Sequence, residues 1–290
     1  EKELLSKEVR FSSAYRRLEL VMNYWCSLWF WPIDQADHLP SRVEYLMELQ
    51  YILEGKPMDE YGVEEDAGQM TLFPDTMERQ EQLELAEKLG YVDVDRLCEE
   101  FPRLQLVSEI NTRYRFHHWE LEFADLFKDN GGFDLILGNP PWIKLEWKEG
   151  GILSEFNPIF AVKKMSAKIV ADLRTHILSF NHRLKIYMDE YVESESSQNY
   201  LNSLKNFPTL KGCQTNLYRS FLPIVWKLVS NKGICGILHP EGPYDDPKGR
   251  VLRKNLYQRL RKHYQFDNEM NLFKDVGHRF SFSINIYGPI

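Results

Sequence analysis

The sequence predicts an α/β protein. A partial parallel sheet occupies the C-terminal half, with a helical region before it and a helical insertion within it. Three observations predict this. The run Asp134–Leu137 follows a Gly131-Gly132 turn and stops at Asn139-Pro140-Pro141-Trp142. A second block, from Asn216 to Pro240, reads as helix, turn and buried strand in that order. Ahead of both, apolar residues recur at helical rather than strand spacing.

In the N-terminal region, Ala14, Tyr15, Leu18, Val21, Met22, Trp25, Leu28 and Trp29 mark the first helix, and Pro32 ends it. The run is too short, and too interrupted by Asn23 and Ser27, to span a membrane. Charged residues precede it without a cleavage pattern, so it is not a signal peptide. Further helices are expected at Ser41–Leu53, Thr76–Leu89 and Asp93–Phe101. Asp75 to Glu78 has capping-box spacing. Glu54–Asp75 is acidic and rich in turn formers, which predicts a mobile loop. Residues 1–114 form one helical region in this reading.

Asp134–Leu137 suits a fully buried parallel strand. In open α/β sheets, ligands bind beyond the carboxyl ends of the strands, which is where Asn139–Trp142 falls. Two prolines fix two φ angles and remove two N–H donors. The Asn139 amide oxygen and the Pro140 carbonyl are then both available to accept hydrogen bonds from one NH2 group. Trp142 offers a flat apolar face on which a planar ring can stack. Held by two acceptors, a delocalised aromatic amine becomes more tetrahedral and more nucleophilic. Positioning and electrostatics then carry the reaction. A Pro-Pro-Trp alone would favour a rigid turn before a core Trp; the preceding strand, Gly138 and Asn139 reverse that balance.

Residues of about 150–212 are expected to form the helical insertion. Lys163, Lys164, Lys168 and Arg174 alternate there with Ile159, Phe160, Val162, Ile169 and Val170, and Ser194–Gln198 reads as a polar linker. A substrate lid and a packing element remain equal readings. Asn216–Val229 is an amphipathic helix, Asn231-Lys232-Gly233 its stop and turn, and Ile234–Pro240 the next buried strand. Glu241–Gly249 is a loop. A helix follows from Arg250 to His263, with Leu252, Leu256 and Leu260 on one face and Arg250, Arg253, Lys254, Arg259, Arg261 and Lys262 on the other. Phe266–Phe273 and Phe280–Tyr287 are two antiparallel strands. The basic face suits either nucleic-acid phosphate or plain solvation.

Composition narrows the function classes. The net charge of −7 excludes a generally basic nucleic-acid coat, while local basic patches remain possible. Cys26, Cys98, Cys213 and Cys235 show no paired spacing, as expected of thiols in a reducing cytoplasm rather than of disulfides or zinc ligands. His117-His118 lacks partner ligands, so no metal site is expected and the pair reads as strand-edge or surface. Glu146-Trp147-Lys148 has the Glu-x-Lys form of metal-dependent nucleases, but without an upstream Pro-Asp nearby it is a chance occurrence.

The strand and tetrapeptide, the Tyr218-x-x-Phe221 helix with its Gly turn and strand, and the Leu252-Arg253 helix with its two late strands resemble the adenine-specific DNA methyltransferases. The likeness is greatest to the large ones of restriction–modification and phage-defence systems. His118–Phe123 also resembles the approach to the catalytic strand in that group. The resemblance covers about 115–290. It implies a Rossmann-like class I methyltransferase sheet, methylation of the exocyclic N6 amine of adenine in DNA, S-adenosylmethionine as cofactor, and DNA and other defence subunits as partners. Asn139, Pro140, Pro141 and Trp142 take the catalytic positions, with Lys144, Lys248, Arg250 and Arg253 as candidate DNA contacts. A base inside a duplex cannot reach such a site, so it must be flipped out. The same tetrapeptide type occurs in enzymes that methylate glutamine side chains or RNA guanine. A methyltransferase-like module that only binds DNA or a partner is the non-enzymatic alternative. The Gly-rich cofactor loop of these enzymes has no counterpart here, and the chain starts without Met in an apparent mid-helix. The expectation is therefore a fragment of a longer protein, with the cofactor loop outside it and no tight S-adenosylmethionine binding by itself.

Overall fold

A computed structural model describes residues 13–54, 94–163, 165–274 and 276–290. The chain divides into two compact units, 1–121 and 122–290. The helix expected at Thr76–Leu89, the capping pattern at Asp75–Glu78 and nearly all of the acidic stretch Glu54–Asp75 lie outside the described residues.

The first unit is helical. Helices α1 (Ser13–Ser27), α2 (Arg42–Glu54), α3 (Val94–Glu100) and α4 (Pro102–Tyr114) surround a core of Leu20, Tyr24, Ile52, Leu97, Leu104, Val107 and Ile110. On α1 the buried stripe is Leu20, Asn23, Tyr24 and Ser27, while Leu18, expected on the apolar face, is exposed. Helix α2 begins with a capping box that spacing alone did not single out. The Glu44 N–H donates to Ser41 Oγ at 3.3 Å, and the Ser41 N–H donates to Glu44 Oε2 at 2.8 Å. Helix α4 was not expected either. Pro102 fits its first turn, where no N–H is needed, and Leu104, Val107 and Ile110 recur on one face. Of the His117-His118 pair, expected at a strand edge or the surface, His117 is exposed, whereas His118 is half-buried with its Nε2 2.7 Å from Asn23 Oδ1.

The second unit is built on a four-stranded sheet. After α5 (Ala124–Asn130), β1 (Phe133–Gly138) leads into the insertion, which contains α6 (Glu149–Phe156), α7 (Ala167–Ile177) and α8 (Asn181–Asn202). Then come α9 (Leu217–Leu228), β2 (Val229–Pro240), α10 (Arg250–Arg259), β3 (Leu260–Asp267) and β4 (Ser281–Tyr287). The strand order is β1-β2-β4-β3. Strands β1 and β2 are parallel neighbours, and β4 pairs antiparallel with both β2 and β3. Helices α9 and α10 bury Leu222, Val225, Trp226, Leu252 and Leu256 against Cys235, Ile237 and Tyr287 on one face of the sheet. Burial raises the Cys235 thiol to about 11, so it packs as a small neutral group.

Four expectations need correction. Strand β1 is not fully buried. It forms the sheet edge, and Leu135 and Leu137 are 60% and 71% exposed. Ile136 turns to the helix-covered face. Through the register, Leu135 and Leu137 share the open face with Ile234, Ile284, Tyr264 and Phe266, all exposed. Second, Asn231-Lys232-Gly233 is not a turn after the helix. Strand β2 starts at Val229, and these residues take up a register shift between the pairs Phe133–Val229 and Leu135–Ile234. Any Cβ on Gly233 would stand 2.5 Å from the Phe133 carbonyl, so only glycine fits. Third, Ser194–Gln198 continues α8 instead of linking. Polar side chains suit a helix face when they bond along it, as Gln198 does to Ser194 Oγ at 3.3 Å. Fourth, the helix from Arg250 ends at Arg259. Leu260, Arg261 and Lys262 begin β3, so the strand expected at Phe266–Phe273 is displaced toward the N-terminus. Pairing with β4 outweighs the helical continuation of the leucine stripe. The loop that follows is organised by Asn268, whose side-chain amide donates to the Phe273 and Val276 carbonyls at 2.9 Å.

The insertion has its own core of Leu153, Phe160, Ile177 and Tyr187. Trp147 packs edge-on against Tyr187 and Tyr191. The middle residue of the Glu-x-Lys sequence thus serves packing.

Candidate active site

The Gly131-Gly132 turn delivers the chain into β1 under close constraint. Gly132 sits at φ +143°, and a Cβ there would lie 2.4 Å from the Leu228 carbonyl. At the other end, Gly138 pairs with Ile237 and the chain leaves the sheet as Asn139–Trp142. Strand β2 leaves beside it, through Pro240 and Glu241. The tetrapeptide therefore stands at the carboxyl ends of two parallel strands, where α/β sheets place their chemistry.

Within the tetrapeptide, Pro140 is buried, Asn139 and Pro141 are exposed, and Trp142 is half-buried. The following stretch is tied down by the Leu217 N–H, which donates to the Ile143 carbonyl at 3.0 Å. The start of α9 thereby fixes the course of the motif.

Trp142 is not a lone platform. Its ring lies 4.8 Å from Phe273, 5.8 Å from Phe282 and 6.2 Å from Phe280, the last nearly parallel. Sequence reasoning missed these three partners. Their signal was the aromatic spacing Phe273, Phe280 and Phe282 around the late strands, visible only once the loop between β3 and β4 is folded back. Three polar atoms at this end of the sheet are buried without a hydrogen-bond partner: Trp142 Nε1, Asn216 Oδ1 and Glu241 Oε1. Asn216 occupies the N-cap of α9, yet its side chain makes no capping bond.

Behind the motif lies a buried polar network. His239 is fully buried, with Nδ1 2.7 Å from the Pro240 carbonyl and Nε2 2.7 Å from the Tyr287 hydroxyl. The Nδ1 proton therefore faces the carbonyl, and Nε2 accepts from Tyr287. Asn285 is the hub. Its amide NH2 points at Ser283 and Ile237 oxygens, and its Oδ1 accepts from Tyr244 at 2.6 Å and from His263 Nδ1 at 2.7 Å. The Tyr218 ring stacks on His239.

Burial holds the His239 ring down at about 4, against the opposing pull of the Pro240 carbonyl. The unfolded chain takes up this proton near pH 6.5. A depressed folded value means that stability is present above the unfolded one and lost as pH falls toward the folded one. The protein should thus lose stability progressively from about pH 6.5 to about pH 4. Urea unfolding at neutral and acid pH checks this, and His239→Gln should narrow the difference.

The candidate DNA contacts fare differently. Lys144 is ion-paired with Glu146. Arg253 donates to the Asp246 carbonyl, and Arg219 pairs with the Asp246 carboxylate at 2.6 Å. Both guanidiniums hold the loop after β2. Burial by itself would raise the Asp246 carboxyl, but the Lys248 N–H and Arg219 outweigh it and keep it below the usual value. Lys248 and Arg250 are exposed. The guanidinium of Arg259 lies over the Trp226 ring at 5.1 Å, and Arg261 donates to the Pro289 carbonyl. Much of the expected basic face is thus spent on internal contacts. Among the described residues there is no group of His, Cys, Asp and Glu able to hold a metal ion, and no helix is long and apolar enough to cross a membrane.

The mixed α/β unit thus carries an acceptor-rich, aromatic tetrapeptide at its parallel strand ends. The chain belongs to the Eco57I restriction-modification methylase family, whose model matches residues 22–171. That stretch runs from the first helix into α7 and includes Asn139–Trp142. No curated protein matches the chain.

Proposed function

We propose that this methylase acts on the exocyclic N6 amine of adenine in DNA, with S-adenosylmethionine as methyl donor, and that Asn139–Trp142 hold the target base. The observation that carries this reading is the exit of Asn139-Pro140-Pro141-Trp142 from the carboxyl end of β1, beside parallel β2. A flipped adenine would give its two amine protons to Asn139 Oδ1 and the Pro140 carbonyl. Its ring would lie against the Trp142 group, where Phe273, Phe280 and Phe282 keep the indole from turning away. The rigid prolines prevent the acceptors from collapsing onto the backbone. Lys248 and Arg250 are the candidate DNA-backbone contacts that remain exposed, with Lys144 and Arg253 able to join them only by exchanging their present partners.

Bound S-adenosylmethionine would supply an electrophilic methyl group. The described glycines at positive φ, Gly131, Gly132 and Gly212, stand at the amino end of β1 and ahead of α9. None stands at the carboxyl ends of β1 and β2. The described residues thus do not form a cradle for its ribose and methionine. What these residues do is bind, orient and partly dehydrate the amine.

Replacing Trp142 separates base retention from chemistry. Trp142→Ala should weaken binding of the flipped base by roughly 1–3 kcal/mol, the usual worth of one stacking contact. Trp142→Phe should be milder. Fluorescence of 2-aminopurine at the target position, measured at fixed salt, checks this. Unchanged fluorescence in Trp142→Ala would remove the stacking role.

A further inference from the structure

We propose that the helical insertion holds the DNA duplex at a distance from the target base, through a basic and apolar surface that carries Lys163, Lys168 and Lys185. The proposal rests on the reading of this methylase as one that acts on DNA. Residues 159–186 contain six lysines and arginines and one acid, Asp172, in a chain of net charge −7. Lys163, Lys168 and Lys185 are exposed and form no ion pair among the described residues. The arginines are spent within the insertion: Arg174 pairs with Glu149 at 3.1 Å, and Arg183 lies over the Phe156 and Phe180 rings.

The fold gives little reason for this charge. The first turns of α7 and α8 hold Lys168 and Arg183 and no acid, and neither N-cap, Ser166 or Phe180, makes a capping bond. A cation near a helix N-terminus adds to the positive end of the macrodipole and is unfavourable there. Plain solvation does not account for the surface either. Val162, Ile169, Phe180, Leu184 and Ile186 stand among these lysines and are 43–80% exposed. Unpaired cations interleaved with bare apolar side chains complement a polyanion whose phosphates alternate with sugars.

The insertion is fastened to the motif at both ends. Trp147, five residues after Trp142, packs on Tyr187 and Tyr191 of α8. The Thr215 hydroxyl donates to Asn202 Oδ1 at 2.5 Å, and Leu217, two residues on, donates its N–H to the Ile143 carbonyl. The C-terminal end of α8 is thus tied to the chain that follows the motif, and its basic start lies farther along the helix. From Asn202 back to Arg183 the axis runs about 28 Å. At roughly 3.4 Å per base pair, that is the length of about eight base pairs. The acids Asp189, Glu190, Glu193 and Glu195 follow Lys185 on α8, so the contact is confined to the outer part of the insertion.

The test is binding of the protein to a mixed-sequence duplex of about 30 base pairs, read by fluorescence anisotropy between about 50 and 200 mM salt. Lys163→Gln, Lys168→Gln and Lys185→Gln combined should lower the slope of log affinity against log salt by about 2–3, since each phosphate contact contributes about 0.9. Binding should weaken by more than about tenfold near 0.1 M salt. Lys163→Arg, Lys168→Arg and Lys185→Arg combined should keep both, and neither triple should change the melting temperature. Lys128→Gln, Lys227→Gln and Lys232→Gln combined remove the same charge near the amino ends of β1 and β2, and should leave the slope near wild type. An unchanged slope in the insertion triple overturns this proposal alone. So does an equal loss in both glutamine triples, since the effect is then one of net charge. Loss of binding to phosphatidylserine vesicles with DNA binding intact overturns it in favour of a membrane surface. A wild type that binds no duplex even at the lowest salt overturns the proposed function and this proposal with it.

Discussion

Asn139→Ala should reduce methyl transfer about 10²–10³-fold, the usual loss when one positioned hydrogen-bond partner is removed from a transition state. The fold should survive. Asn139 is exposed beyond the end of β1, and among the described residues its side chain makes no hydrogen bond that the sheet depends on. DNA affinity should also hold, because phosphate contacts dominate it. The measurement is transfer from labelled S-adenosylmethionine to DNA, with binding and melting followed in parallel. Near-normal turnover would show that Asn139 does not hold the amine. Loss of activity together with loss of folding would leave Asn139–Trp142 as a rigid turn and nothing more.

Leu222→Ala should destabilise the protein by about 2–5 kcal/mol, the range for truncating a fully buried leucine. Leu222 is wholly buried where α9 meets the sheet, among Cys235, Ile237 and Tyr287. Leu137→Ala, on the opposite face and 71% exposed, should cost no more than about 0.5 kcal/mol. Urea unfolding of the two variants makes the comparison, provided the denaturant slope is unchanged. Equal losses would mean that the face bearing Leu135 and Leu137 is covered in solution.

This pair of leucines also marks the limit of reading a sheet from sequence. The apolar run Leu135-Ile136-Leu137 located β1 to within one residue at each end, since few other conformations suit such a run between a Gly-Gly turn and a double proline. The run reads the same whether both faces are covered or one is bare. The late strands show the converse. Leu252, Leu256 and Leu260 keep helical spacing through Leu260, and nothing local announces that β4 captures the chain from Leu260 onward. In the first unit, α4 carried a legible stripe and an N-terminal proline, and Ser41 to Glu44 a legible capping box. Both are short local signals set among stronger apolar ones.

The candidate site divides along the same line. Asn139 to Trp142 could be named from the sequence because their chemistry is local: two consecutive carbonyl-type acceptors, two locked φ angles and one ring. The strand that precedes them and the order of helix then strand from Leu217 to Pro240 were also legible, since periodicity acts over a few positions, but the junction was not, because Asn231–Gly233 are absorbed into β2 and make no turn. Only the tertiary structure decided that β1 lies at the edge, that Phe273, Phe280 and Phe282 gather around Trp142, and that Asn285 meets His263. These partners are separated by 22 to well over 100 positions, and they meet only through strand pairing. Pairing energy depends on which strands find each other, and no window of sequence contains that choice.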